Sequence, residues 1–328
     1  MTKWVLTGML SKTASKIMSV ERGIDPGNQV DTSLVELAVG TNPDVIRLNF
    51  IDAFDTAVPI STIRKYRAII KEYRDRGIKV VGLAGGESVG GGYNPTADGF
   101  DPEVFGDKLA KAASKIVHFF GNNLEGIEIF NEPNDYMGGD THQIAPDMMA
   151  NYLTKVADAT KNRPQRRKLN IISGPVFAHD LYDNPWEDSG ARYFYDLLWA
   201  GYEYYGWAPD HLPFDEAGWH IYVGQGSVDP EIVTNLIDNV LVEIKWALDD
   251  FQIGPQISIS EVGWQSGIVG ELGQSINIET TNNILSADER VSRWLYFCLK
   301  DFDNLTFGVT YSDEIKKQSF DTLANLPK

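Results

Sequence analysis

The sequence has 328 residues, of which 43% are hydrophobic and 23% charged, and its formal net charge is −17. A chain of this composition can bury a sizeable core, which excludes disordered, collagen-like and disulfide-rich classes. Proteins bind nucleic acids mainly by neutralising phosphate charges with basic residues. A chain with a net charge of −17 would instead be repelled by phosphates, so we expect no binding to DNA, RNA or anionic membranes. A neutral polymer such as a polysaccharide would experience little of this repulsion.

Other simple features narrow the class further. The single cysteine, Cys298, excludes an internal disulfide and a cysteine metal site. The histidines show no metal-ligand spacing, so we expect neither a metal ion nor another cofactor. The sequence contains no long apolar run and no visible signal peptide. Strand-like sequence begins at Lys3; secretion is favoured if a leader was trimmed, and a cytoplasmic location otherwise.

Short β-rich runs recur at a regular interval along the chain. They lie at 3–8, 45–50, 79–84, 125–130, 169–174, 216–222, 256–261 and 307–311. Helical patterns separate these runs, beginning with a stretch of 3.6-residue period from Ser61 to Gly77. Asp101-Pro102 and Asp229-Pro230 each read as an N-cap followed by proline at the first helical position. A capping box at 286–289 predicts a helix that continues through residue 299.

This alternation of strands and helices predicts the fold. Parallel strands need crossover connections, which the intervening helices supply. The chain has eight such strand–helix units, and its composition does not change along its length. These features indicate one closed (β/α)8 TIM barrel, an α/β fold, over residues 1–328. The rival is an open doubly wound sheet, but no dinucleotide-binding glycine motif opens the chain. We expect a monomer whose function resides at the C-terminal ends of the strands.

Three long connections are predicted at that end of the barrel, after the third, fifth and seventh strands, at 85–100, 176–189 and 264–285. They carry four aromatic residues: Tyr93, Tyr182, Trp186 and Trp264. Flat rings on such loops can stack on sugar faces, although packing of the loop itself explains each ring equally well.

The clearest chemical signal is a glutamate at the end of each of two predicted strands. Glu132 follows the fourth strand in Asn131-Glu132-Pro133, and Glu261 ends the seventh. The fourth and seventh strands face one another across the barrel mouth, so their glutamates can approach to about 5 Å, the separation used by retaining glycoside hydrolases. Two unpaired carboxylates at such positions are costly unless they serve a function.

With these residues in place, the chain resembles the clan A glycoside hydrolases, the retaining (β/α)8 superfamily that includes cellulases, mannanases and β-xylosidases. Asn-Glu-Pro after strand 4 and a glutamate ending strand 7 match the family pattern. So do an arginine on strand 2, Arg47, and a His-x-Tyr on strand 6, His220 and Tyr222. The C-terminal segment 318–326 resembles the closing helix, and the 213–222 segment resembles family 39 more specifically.

The resemblance implies a role for each matched residue. Glu132 would be the proton donor, its pKa raised by Glu261, and Glu261 would be the ionised nucleophile. Arg47 and Tyr222 would donate hydrogen bonds to Glu261. Asn131 would bind the sugar 2-hydroxyl and His220 would orient the cluster, although a merely structural role for Arg47 or His220 remains open.

One family feature is replaced in this chain. Many clan members carry a tryptophan at the end of strand 8 as a platform for the sugar, and Tyr311 stands nearest that position here. The residues therefore indicate the reaction more clearly than they indicate the sugar on which it acts.

Gly86-Glu-Ser-Val-Gly90 matches the nucleophile-elbow pattern of esterases around Ser88. The glycines and proline that follow cannot start the helix that an elbow requires, so a rim loop is the better interpretation.

We expect hydrolysis of a β-linked polysaccharide or oligosaccharide with retention of configuration, with endo action favoured. The alternatives are an exo-acting β-glycosidase and a catalytically silent carbohydrate-binding barrel.

Overall fold

A closed barrel of parallel strands forms the centre of the molecule. The computed structural model describes residues 20–27, 30–135, 143–180, 184–302, 304–313 and 315–327. Within them the strands are β1 Glu21–Asp25, β2 Val45–Asn49, β3 Lys79–Ala84, β4 Gly126–Ile129, β5 Asn170–Ile172, β6 Val176–His179, β7 Glu216–Tyr222, β8 Gln256–Val262 and β9 Val291–Phe297. All the strand pairings are parallel, and pairing of β1 with both β2 and β9 closes the ring.

The nine strands occupy eight barrel positions. Strands β5 and β6 follow one another along the same side of β7, Ile172 pairing with Glu216 and Val176 with Trp219. Pro175 lies between β5 and β6 and lacks the N–H that a continuous ladder would use. The predicted (β/α)8 barrel is confirmed.

Helices surround the barrel. In the described part of the chain they are α1 Val35–Val39, α2 Ile60–Asp75, α3 Pro102–Phe120, α4 Pro146–Thr160, α5 Pro185–Asp188, α6 Ala191–Tyr205, α7 Pro230–Asp250, α8 Ser266–Leu285 and α9 Gln318–Asn325. The predicted caps of α3 and α7 are confirmed: Asp101 and Asp229 each accept a hydrogen bond from a first-turn backbone N–H. None of the described helices is both long and apolar enough to cross a membrane.

The first and last strands differ from the prediction. The predicted strand at 3–8 lies outside the described residues, and the first barrel position is taken by β1, whose charged and glycine residues give it no apolar signature. The predicted helix at 286–299 is wrong, because Val291–Phe297 is strand β9. Its apolar run is covered on both faces, and such a run fits helical and strand periods equally. No strand forms at Phe307–Tyr311, where Thr310 makes isolated bridges only.

Two of the predicted long connections are also wrong. Val176 begins β6, so the fifth barrel position continues past residue 174, and Ser266–Leu285 is helix α8 rather than a loop, interrupted at Gly270 with φ 75°. The connection between β3 and α3 is long, as predicted, and contains one 3-10 turn at Gly86–Ser88.

Side chains fill the barrel in layers. Residues i and i+2 of a strand share one face, so alternate residues enter the barrel and the intervening ones pack against the helices. At the N-terminal end, Arg293 contacts Glu216 at 2.9 Å in a buried ion pair. Above it lies an apolar cluster of Val45, Val81, Ile172 and Leu295. Polar residues follow toward the C-terminal end, and they form the site described below.

Candidate active site

A polar cavity of about 450 Å³ opens at the C-terminal end of the barrel. The lining residues are Asp25, Pro26, Gly27, Arg47, Asn49, Leu83, Glu87, Asn131, Glu132, Glu261, Phe297 and Phe302. A second cavity of about 230 Å³ adjoins it and shares Glu87, Asn131 and Glu132. Glu132 therefore borders both cavities.

Glu132 is presented by an unusual turn after β4. Phe130 and Glu132 have φ angles of 72° and 45°, in the left-handed region. This conformation costs a non-glycine residue roughly 1 to 2 kcal/mol, and such strain concentrates at functional sites. The turn leaves the Glu132 side chain 19% exposed, with one carboxylate oxygen 2.7 Å from Nδ1 of His220.

Glu261 faces the barrel interior because β8 contains a β-bulge. Trp219 of β7 pairs with Ile259 and His220 pairs with Glu261, so Ser260 is the extra residue. Without the bulge, alternation would point Ser260 and Glu261 to opposite faces. The bulge brings both to His220, whose Nε2 lies 3.1 Å from the Ser260 hydroxyl and 3.5 Å from a Glu261 oxygen.

Glu261 is nearly covered and is held by two hydrogen-bond donors. The Tyr222 hydroxyl donates to one carboxylate oxygen at 2.6 Å, and the Arg47 guanidinium donates to the other. Tyr222 lies two residues after His220 on β7, so both side chains enter the barrel. Carboxylate oxygens of Glu132 and Glu261 and a ring nitrogen of His220 lie within 4.8 Å of one another.

Arg47 joins most of the buried polar groups at the mouth. Its Nη1 donates to Asp25 at 2.9 Å, its Nε to Glu128 at 2.7 Å, and its Nη2 to Asn131 at 2.7 Å. Burial lowers the pKa of the guanidinium, but the three surrounding carboxylates outweigh burial and raise it well above its usual value. Arg47 is therefore a permanent cation whose donors are engaged within the protein.

Burial shifts the pKa values of two titratable groups at the mouth, His220 and Glu261. Burial lowers the pKa of His220 to about 4, so the imidazole is neutral at neutral pH. Burial also raises the pKa of Glu261 to about 7, opposed by His220 and Arg47 and reinforced by Glu132. Glu261 therefore binds a proton on the acid side of neutrality. Once Glu261 ionises, the hydrogen bonds from Arg47 and Tyr222 stabilise its carboxylate.

Glu132, His220 and Glu261 are also the residues that could ligate a metal ion, because their ligand atoms converge. The guanidinium of Arg47 already contacts Glu261 there. A metal ion would have to bind beside this fixed positive charge, so the donor set suits proton transfer better than metal binding.

Three predicted substrate-binding residues are not at this site. Trp264 is 0% exposed and packs in the core between barrel and helices, so the prediction that it stacks on a sugar is wrong. Tyr311 does not line either cavity; its hydroxyl donates to Glu271 at 2.6 Å. Trp186 packs edge-to-face against Trp246 of α7, with ring centres 4.8 Å apart, on the outside of the barrel.

The eighth barrel strand supplies an aromatic residue at the mouth, but it is Phe297 rather than Tyr311. Phe297 ends β9 and lines the cavity together with Phe302, their ring centres 5.8 Å apart. The sequence pattern missed it because residues 291–297 were interpreted as helix.

Three buried polar residues were missed for different reasons. Asp25 ends β1, which lacks an apolar pattern. Ser260 lies beside His220 because of a β-bulge, which the sequence pattern does not show. Glu128 could have been found, since it is a charged residue between Ile127 and Ile129 in a strand with an apolar outer face. The esterase interpretation of Ser88 finds no support, because its hydroxyl is fully buried and donates to the Phe50 carbonyl.

Comparisons with known proteins identify the fold. No protein-family model and no curated sequence match the chain. Solved structures do match: a family 128 endo-β-1,3-glucanase from Sorangium cellulosum has 18% identity and a TM-score of 0.60, over 94% of this chain and 99% of that one. The chain shares the fold of glycoside hydrolases.

Two further structures support that likeness. A family 39 glycoside hydrolase from Bacteroides cellulosilyticus has 17% identity and a TM-score of 0.62, over 94% of this chain and 63% of that one. A family 1 β-glucosidase from Thermotoga maritima has 14% identity and a TM-score of 0.60, over 89% of this chain and 84% of that one.

Proposed function

We propose that this chain is a retaining glycoside hydrolase that cleaves β-linked polysaccharides or oligosaccharides. The observation that carries the proposal is the approach of Glu132 and Glu261 to within 4.8 Å at the mouth of the barrel. Retaining enzymes place their carboxyl groups about 5 to 5.5 Å apart, whereas inverting enzymes need roughly 6.5 Å or more to admit water. The shared fold with glycoside hydrolases is consistent with this chemistry.

The first step assigns different tasks to the two carboxyls. A Glu261 oxygen bonds to the anomeric carbon as the glycosidic C–O bond breaks, and the proton of Glu132 passes to the leaving oxygen. Neutral His220 can serve Glu132 in both protonation states. Its Nδ1–H donates to one Glu132 oxygen in both states, while Nε2 accepts from the Ser260 hydroxyl. The other Glu132 oxygen carries the proton that passes to the leaving group.

The second step reverses these roles. Glu132, now a carboxylate, takes a proton from water as the water oxygen attacks the anomeric carbon and releases Glu261. Arg47 and Tyr222 stabilise the departing carboxylate through the hydrogen bonds that they already donate. Asn131 and Phe297 both line the cavity. In this proposal Asn131 donates to the sugar 2-hydroxyl, and Phe297 forms the apolar surface beside the sugar.

Endo action is the finer proposal. Glu132 must lie beside the scissile oxygen, and it lines both cavities, which together give room for sugar units beyond a single one. An exo-acting β-glycosidase is the second candidate; among structures of similar fold, one is described as an endo-β-1,3-glucanase and another as a β-glucosidase. The lengths of the products released from laminarin, lichenan and β-1,4-galactan distinguish the two. Endo action should give a series of oligosaccharides, and exo action should give a single sugar.

Azide rescue tests the two-glutamate mechanism directly. In Glu132→Ala the nucleophile remains, so an aryl β-glycoside with a good leaving group should form the intermediate, and azide should release a β-glycosyl azide. In Glu261→Gly azide should enter from the opposite face and give the α-glycosyl azide. Proton NMR identifies the anomer, and circular dichroism confirms that each variant is folded. The same anomer from both variants would contradict the assignment, and wild-type protein inactive on every glycan would indicate a silent binding barrel.

A further inference from the structure

The walls of the mouth carry more negative charge than hydrolysis requires. Besides the two proposed catalytic glutamates, Asp25 and Glu87 line the larger cavity, and Glu87 and Asp135 line the smaller one. Arg47 is the basic residue among the lining residues that the structure describes. The surface that a bound glycan would meet is therefore strongly acidic.

Arg47 has no free pair of donors with which to bind an anionic group of a substrate. Each nitrogen of its guanidinium donates to a protein group: Nε to Glu128, Nη1 to Asp25 and Glu261, and Nη2 to Asn131. Recognition of a carboxylate or sulfate by arginine uses two parallel N–H donors on one edge of the guanidinium. Four of its five N–H groups are thus engaged, so neither edge offers the two free parallel donors that a sugar carboxylate or sulfate needs.

Glu87 is the acidic residue best placed to affect a substrate beyond the reaction centre. It lies in the 3-10 turn after β3, is exposed, and lines both cavities beside Glu132. Its carboxylate lies 2.8 Å from where a Cβ of residue 85 would stand, so Gly85 gives it room. Asp25, by contrast, is buried and contacts Arg47.

We propose that this mouth selects uncharged glycans and rejects anionic ones, such as polyuronates and sulfated chains, and that Glu87 is a specificity-determining residue. The proposal rests on the proposed function, since it concerns the substrate of that site. Two like charges 4 Å apart in water change an equilibrium roughly fivefold. With several carboxylates on the walls, we expect at least about a tenfold preference for the neutral chain.

The test compares one glucan in two forms, laminarin and its lightly carboxymethylated derivative. For wild type at low salt, kcat/KM should be about tenfold or more lower on the carboxymethylated form. Glu87→Lys should reduce this preference about tenfold and Glu87→Gln by a smaller factor. Raising the salt concentration from 10 mM to 0.5 M should weaken the preference, since the Debye length falls from about 30 Å to a few Å.

The matched control is Glu289→Lys, which makes the same charge change at an exposed position before β9, at the opposite end of the barrel. Its preference should equal that of wild type. Equal cleavage of both polymers by wild type, or equal effects of Glu87→Lys and Glu289→Lys, would overturn the proposal while leaving the hydrolase function intact.

Affinity electrophoresis of the same proteins in gels that contain either polymer tests selection separately from hydrolysis. The proposal is supported if laminarin alone slows the migration of wild type and if Glu87→Lys is less selective between the two polymers. This holds even if no bond is cleaved. Retardation by both polymers alike, or by neither, contradicts it. Failure of catalysis and failure of selection therefore give different results.

Discussion

Nη2 of Arg47 donates to the side-chain oxygen of Asn131 at 2.7 Å, and this contact fixes the orientation of the amide. Because the oxygen is bound to the guanidinium, the NH₂ group is the end of the amide that can donate to a sugar. Asn131 lies beside Glu132 in both cavities. One arginine thus holds both Glu261 and Asn131, for which we propose the contact with the 2-hydroxyl.

Asn131→Asp should lower kcat about 100-fold and change KM much less. The substitution keeps the size of the side chain but replaces the donor with a third carboxylate next to Glu132, and a hydrogen bond that strengthens in the transition state contributes mainly to kcat. Steady-state kinetics on the polymer measure this split. The control is a 2-deoxy aryl glycoside, which lacks the hydroxyl; wild type and variant should differ far less on it, and an equal loss would argue against the contact.

Ser260→Ala should lower kcat on polymer about tenfold with little change in KM. The variant removes the hydroxyl that donates to Nε2 of His220, so the tautomer whose Nδ1–H donates to Glu132 is no longer favoured. An aryl glycoside with a good leaving group needs little protonation, so its first step should be nearly unaffected. Ser260→Thr, which keeps the hydroxyl, should restore activity; equal losses on both substrates would reduce Ser260 to a packing role.

The stability of Glu261→Gln relative to wild type should increase with pH. The pKa of Glu261 is raised from 4.5 to about 7, so between these values the folded protein binds more protons than the unfolded chain. Wild type therefore loses stability as pH rises through 7, by at most about 3 kcal/mol, and glutamine removes that loss.

Thermal unfolding at pH 5 and pH 8 measures this effect as the difference in Tm between Glu261→Gln and wild type. His220 acts in the opposite direction, since its lowered pKa destabilises the fold on acidification, but it is present in both proteins. Glu289→Gln, at an exposed position, should show no such trend. A Tm difference that is constant or shrinks toward pH 8 would contradict the raised pKa.

Trp264→Ala and Phe297→Ala should affect different properties. Trp264 is fully buried, so its truncation should cost about 3 to 5 kcal/mol of unfolding free energy. Phe297 lines the cavity, so its truncation should weaken substrate binding or lower kcat with a smaller loss of stability. Urea unfolding and steady-state kinetics on both variants separate the two effects. If Trp264→Ala kept its stability and only its KM rose, Trp264 would instead be a substrate-binding residue.

The sequence by itself determined the parts of this protein that depend on local pattern. A glutamate directly after an apolar strand, as at Glu132, must lie at the C-terminal end of a parallel barrel. Strand alternation likewise fixed the common face of His220 and Tyr222, and the capping residues fixed the starts of α3 and α7.

Only the tertiary structure decided features that depend on strand pairing. The run at 291–297 carries large apolar residues on both faces beside Ser292 and Arg293, and its partners β1 and β8, rather than its period, make it a strand. The bulge at Ser260 arises in the pairing of β8 with β7 and turns Glu261 into the barrel, where alternation alone would turn it out. The burial of Trp264 follows from packing between barrel and helices, which no local pattern of residues records.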